Sequence, residues 1–184
     1  MAALDDSDRK LCEMALRASN SAYAPYSGFA VGAAVRTRSG AVYAGANLEN
    51  ASYGMTMCAE VSAITAANAA GDYDIEAIAV AGFKFTPPAC HASVCTPCGR
   101  CRQLIFEASQ VVQRDVKVLS CNGDLSEIDV TTISKLLPKA FGPENLGVNG
   151  VWPGMRVLLQ KAVATVAKSS TDASSSSDDL KAAE

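Results

Sequence analysis

The chain has 184 residues, 49% of them hydrophobic and 19% charged, with a formal net charge of −3. That is enough apolar material for one packed core, which excludes a small disulfide-stapled scaffold, and no long Lys/Arg run supplies the electrostatic footprint of extended nucleic-acid binding. The opening MAALDDSDRK is acidic without an apolar h-region, and no apolar run reaches the roughly eighteen residues of a membrane span, so a cytoplasmic protein is expected.

From Asp5 to about Asn20, Leu11, Met14, Ala15 and Ala18 recur at helical spacing, with acidic residues in the first turn where the helix dipole favours them. GFAVGAAVRT and AVYAGANL follow as apolar, β-branched runs joined by RSGA, which predicts a β-hairpin. The Ala-rich stretch from Met57 to Ala70 predicts a helix stopped at Gly71, and IEAIAVAGF a strand buried on both faces. A helix from about Pro97 to Ser109, the strand DVKVLSC, and a strand plus short helix within LSEIDVTTISKLLPKAF complete an α, hairpin, α, β, α, β order. This predicts a single α/β domain with a mixed sheet between helix layers. Trp152 is expected to pack the C-terminal helix onto the domain. The domain is assigned to residues 1–168; from 169 to 184 the acidic, Ser-rich composition predicts a disordered tail.

Seven cysteines are present, and SVCTPCGRCRQL places three of them within eight residues. In a reducing compartment an odd count with a close C-x-x-C pair points to metal or redox chemistry. Cys98 and Cys101 stand at i and i+3 at a predicted helix start, on one face, where the helix N-terminus favours thiolates. Forty residues earlier, MCAEVSAI places Cys58 and Glu60 at another predicted helix start. Three thiolates and a nearby acid make an open zinc site with a free fourth position. The competing reading is a closed structural zinc completed by Cys90, Cys95 or the single histidine, His91, all in the loop from Lys84 to Thr96. Cys12 and Cys121 read as packing residues.

The CAE and PCGRCRQ segments resemble the zinc-dependent cytidine deaminase family, and the likeness extends through YAPYSGFAVGAAV, GANLENASY and LLPKAFGPENL. The resemblance is to its three-cysteine, homotetrameric class. It implies a three-layer α/β/α fold around a mixed five-stranded sheet. It also implies hydrolytic deamination of cytidine and deoxycytidine to uridine and deoxyuridine in pyrimidine salvage, by zinc-bound hydroxide with a glutamate proton shuttle. In these terms Cys58, Cys98 and Cys101 hold Zn2+ and Glu60 is the catalytic acid/base. The resemblance carries Asn47 and Glu49 over to the ribose hydroxyls and Phe29 to the base. The backbones of Ala59 and Thr96 fall to the pyrimidine carbonyl and the leaving amine, and Phe141 to a neighbouring subunit's base pocket. The free-nucleoside substrate implies no nucleic-acid or membrane partner. The alternative is a blasticidin-type or nucleic-acid deaminase on the same fold, and outside catalysis a zinc-stabilised interaction module.

One departure stands out. The three-cysteine class usually has arginine after the catalytic glutamate, where this chain has Val61. Arg100, between the two clustered cysteines, is therefore expected to compensate the negative charge of a three-thiolate zinc by bonding to a ligand sulfur, with Arg102 sharing the task.

Overall fold

The computed structural model describes residues 4–148 and 150–179, with side chains as far as 167. Helix α1 (Asp6–Ala18) begins where the Asp5 carboxylate accepts a hydrogen bond from the Asp8 amide at 2.8 Å, and it buries Leu11, Cys12 and Ala15. The hairpin is β1 (Phe29–Thr37) and β2 (Val42–Ala46), followed by α2 (Ala59–Ala69) and β3 (Ile75–Lys84). Next come α3 (Gly99–Val111), β4 (Lys117–Cys121), β5 (Ile128–Thr132), the single turn α4 (Ile133–Leu136) and α5 (Trp152–Asp179).

The five strands lie in the order β2-β1-β3-β4-β5, with β3 and β4 parallel and the other pairs antiparallel. Alternation along the strands divides the core in two. On one face Ala34, Ala77, Ala79, Ala81, Leu119 and Cys121 meet Leu11, Cys12 and Ala15 of α1. On the other, Ala33, Val35, Ile78, Val80 and Val118 meet Ala59, Ala63 and Ala67 of α2 and Ile105 of α3. The mixed three-layer architecture therefore agrees with the sequence pattern, and Cys12 and Cys121 are fully buried packing residues as expected.

The placement of α2 depends on Gly45. A Cβ there would lie 2.5 Å from the Ala63 amide nitrogen, so only glycine lets the helix approach β2 this closely. On the α1 side, the Asp8 carboxylate is buried between Arg36 Nη2 at 2.9 Å and Lys117 Nζ at 2.7 Å, and Glu76 meets the same Arg36 nitrogen at 3.0 Å.

Trp152 does seat the start of α5: its ring lies 6.2 Å from that of Tyr73, and Arg156 stacks over Tyr73 at 4.6 Å while donating to the Gly71 carbonyl. The helix continues through Asp179, past Lys168, where composition points to an unordered tail. Ala, Leu, Lys and Gln between 158 and 168 are good helix formers, and serine is tolerated, so the backbone ladder extends although Val157 to Ala167 are exposed. Residues 180–184 of the expected tail lie outside the described residues. Among the described residues no helix is long and apolar enough to cross a membrane.

Candidate active site

The site forms where α2 and α3 begin side by side. Cys58 is the residue immediately before α2 and Cys98 the residue immediately before α3, and neither helix start has a side-chain cap. Their first-turn amides are therefore left to face the thiols, with the positive end of each helix dipole. Cys58 is delivered by a two-way bridge in which the Leu48 and Met57 amides each donate to the other's carbonyl at 2.9 Å.

The Sγ atoms of Cys58 and Cys98 are 3.9 Å apart and those of Cys98 and Cys101 3.5 Å apart. Tetrahedral zinc bound by thiolates at about 2.3 Å requires sulfurs about 3.8 Å apart, so this trio fits the metal. The hydrogen bond with the Cys101 thiol lowers the Cys58 thiol to about 6; Cys98 and the Arg100 cation act in the same direction, against burial and the Glu60 charge. Cys101 is correspondingly raised.

Among the described residues, no fourth Cys, His, Asp or Glu joins the three sulfurs. Cys90 is exposed and its backbone pairs with Lys84. His91 is exposed, its ring 6.3 Å from Phe83 and its carbonyl bonded to the Gly123 amide. Cys95 is separate from the sulfur cluster. The closed four-ligand reading thus finds no fourth ligand here.

Glu60 lies in the first turn of α2, only 4% exposed. Burial pushes its carboxyl above the usual carboxylate range, while its own backbone amide and the Cys101 thiol pull it down. A buried carboxyl with a raised pKa beside a metal-ligand trio is suited to moving protons.

Asn47 and Glu49 are both committed to backbone. Asn47 Oδ1 accepts from the Val31 amide at 2.9 Å and Nδ2 donates to the Phe29 carbonyl at 3.0 Å. Glu49 Oε2 accepts from the amides of Tyr26 and Ser27 at 2.9 and 3.2 Å. Ala59 is fully buried at the first position of α2, and Thr96 is exposed just ahead of the buried Pro97. Phe141 is 62% exposed, its carbonyl held by Gln103 Nε2 of α3 at 2.9 Å. That tether was invisible in the sequence, where Gln103 is one polar residue on a helix surface.

The two arginines depart from expectation. Arg100 bonds no sulfur of the trio: Nη1 donates to the Thr56 carbonyl at 3.1 Å and Nη2 to Met57 Sδ at 3.8 Å. The Thr56 carbonyl, at the end of the incoming extended segment, is a compact oxygen acceptor within direct reach, and it draws the guanidinium off the helix's positive end. Its charge still reaches Cys58. Arg102 is spent on the carbonyls of Pro97 (Nε, 2.8 Å) and Leu136 (Nη1, 3.2 Å), tying the start of α3 to the end of α4.

Residues 5–116 match the family model described as the cytidine and deoxycytidylate deaminase zinc-binding region. A cytidine deaminase of Halalkalibacterium halodurans is 44% identical over 138 residues, spanning 74% of this chain and 95% of that protein. One of Mycobacterium tuberculosis is 36% identical over 135 residues, 72% of this chain and 87% of that protein. Among solved structures, the cytidine deaminase of Burkholderia pseudomallei superposes with a TM-score of 0.62 at 39% identity, covering 72% of this chain and 98% of its own. With the trio of thiols, the buried glutamate and the five-stranded sheet all accounted for, the chain belongs to the cytidine and deoxycytidylate deaminase zinc-binding family.

Proposed function

We propose that this protein is a zinc-dependent cytidine deaminase that hydrolyses cytidine and deoxycytidine to the corresponding uridines and ammonia, in pyrimidine salvage. The observation that carries this reading is the buried Glu60 beside a three-sulfur cluster that leaves a fourth metal position open. Family membership and relatives named cytidine deaminase support it.

Cys58, Cys98 and Cys101 would hold the metal. Zinc there supplies Lewis acidity that makes a water nucleophilic near neutral pH. Glu60 takes the proton of the attacking water on a carboxylate oxygen and passes it to N3 of the pyrimidine as C4 is attacked; it then takes the proton of the new C4 hydroxyl and carries it to the amine, which departs as ammonia as the C4–N bond breaks and the carbonyl forms. The burial that raises its pKa makes Glu60 a better proton acceptor than an exposed carboxylate. The Ala59 amide, an orphan of the first helical turn, donates to the pyrimidine carbonyl, and the Thr96 carbonyl accepts from the amine.

Asn47 and Glu49 bind the ribose. Their backbone hydrogen bonds fix both side chains in advance, and the Glu49 carboxylate, with two oxygens able to accept more than one bond each, accepts from a sugar hydroxyl. Phe29, whose backbone Asn47 holds, lies against the base. The catalytic domain is assigned to residues 1–168, and the protein to the cytoplasm, a reading supported by the seven free thiols.

The assembly is proposed to be a homotetramer in which Phe141 enters a neighbour's site. Exposed large side chains at Tyr53, Met55, Phe141 and Leu146 support this, and light scattering at the mass of four chains is the check; a fully active monomer would contradict it. The decisive assay is the loss of cytidine absorbance on adding pure protein, abolished by a chelator and restored by zinc. No turnover of cytidine or deoxycytidine by zinc-loaded protein would overturn the reading.

A further inference from the structure

Cys95 is neither one of the clustered thiols nor a surface residue, and the site as described gives it no task. Its surroundings are specific. A Cβ placed on Gly82 would lie 2.9 Å from Phe29 Cε1 and 3.0 Å from Cys95 Sγ. Ring and sulfur therefore converge on one bare Cα, and even a methyl group there would force one of them to shift.

The register explains the convergence. Gly82 pairs with Val31, and Phe29 stands two residues along the same face of β1, diagonal to Gly82. Across an antiparallel pair a diagonal neighbour is within reach of an aromatic side chain, and a glycine in that place leaves the ring lying over backbone. Phe29 is thus supported from below but has no neighbouring side chain on β3 at Gly82 to stop it sideways.

Cys95 occupies that flank. Its amide donates to the Cys121 carbonyl at 3.0 Å, anchoring the approach to α3 onto the end of β4, and its side chain packs against the core cluster formed by α2 and α3. Three residues on, the same segment supplies Cys98 immediately before α3, so it carries Cys95 close to the sulfur trio.

We propose that Cys95 is a positioning residue: its sulfur, with Gly82 as the floor, holds the Phe29 ring in the orientation that receives the pyrimidine. Asn47 fixes the backbone of Phe29 through the Phe29 carbonyl and the Val31 amide, and Cys95 fixes the ring. A polarisable sulfur beside an aromatic ring is a favourable contact that adapts to an irregular gap. The inference rests on the proposed role of Phe29 in binding the base.

The test compares Cys95→Ala, Cys95→Val and Phe29→Ala with the zinc-loaded parent. In Cys95→Ala the KM for cytidine is expected to rise about fivefold with kcat nearly unchanged, the signature of lost ground-state positioning worth one sulfur–ring contact. Zinc content should stay at the parental level, and Cys95→Val, which refills the volume without the sulfur, should restore KM only in part. A crystal structure of Cys95→Ala should show the Phe29 ring turned into the vacated space. An unmoved ring, a KM equal to the parent's, or loss of zinc would each overturn the inference. If Phe29→Ala raises KM while Cys95→Ala does not, the inference about Cys95 fails alone. If the parent turns over no cytidine, the functional reading fails and the Phe29 ring position still decides what Cys95 does.

Discussion

The sulfurs of Cys58 and Cys98, forty residues apart in sequence, lie 3.9 Å from each other because each sits immediately before a helix and the two helices start together. With Cys101 they form the only three-ligand group of Cys, His, Asp or Glu among the described residues. Alanine at Cys58, Cys98 or Cys101 is therefore expected to leave protein purified without zinc. Cys90→Ala and His91→Ala should keep the parental metal content. Atomic emission on dialysed samples separates the two sets, and zinc loss in either of the latter variants would revive a four-ligand site.

Glu60→Gln should retain zinc, because the carboxylate is not one of the clustered ligands. It should lower kcat for cytidine by about a thousandfold, within the range for removing a positioned proton-transfer group. Unfolding measured by circular dichroism should show no loss of stability, since burial disfavours the charged form of this carboxyl. Turnover within a few-fold of the parent would remove Glu60 from the mechanism.

Asp8 is the centre of the buried ion cluster beneath α1, with its side chain 4% exposed and that of Arg36 12% exposed. Asp8→Ala strands Arg36 with only the half-exposed Glu76 as its partner. It is expected to cost about 3 kcal/mol, the scale of an uncompensated buried charge. Urea denaturation measures it; a loss below about 1 kcal/mol would class the cluster with surface ion pairs.

Asp72 receives the hydroxyls of Ser39 and Thr37, each at 2.7 Å, and these hold its carboxyl below the ordinary aspartate range, helped by Tyr43 and Arg156 against slight desolvation. A folded-state pKa below the unfolded one means stability that is full above about pH 4 and disappears as pH falls through the folded value. The Tm of Asp72→Asn should therefore lie below the parent's at pH 7 and approach it as pH drops from about 5 towards 3. A gap that stays constant across that range would show that Asp72 acts through shape alone.

The local parts of this protein were readable in its sequence because their causes are local. The i, i+3 spacing of Cys98 and Cys101 on a helix start places two sulfurs together whatever the rest of the chain does. Helical spacing around Leu11 and Ala15, the RSGA connection and the doubly apolar IEAIAVAGF likewise announce α1, the hairpin and the central strand. Partner choice at long range was not readable. Arg100 lies where a cation would be expected to seek thiolates, yet the Thr56 carbonyl, brought in by the segment before α2, takes it instead. Asn47 and Glu49, the residues proposed to bind the ribose, first serve β1 and the turn before it, a commitment set by strand register. Nothing in the residues around Gly82 or Cys95 tells of Phe29, because that meeting depends on a diagonal across β1 and β3 and on where β4 ends. Sequence determines what each segment can form and which groups carry chemistry; only the packed sheet decides which of them touch, since contact is settled by register and close approach between segments distant in the chain.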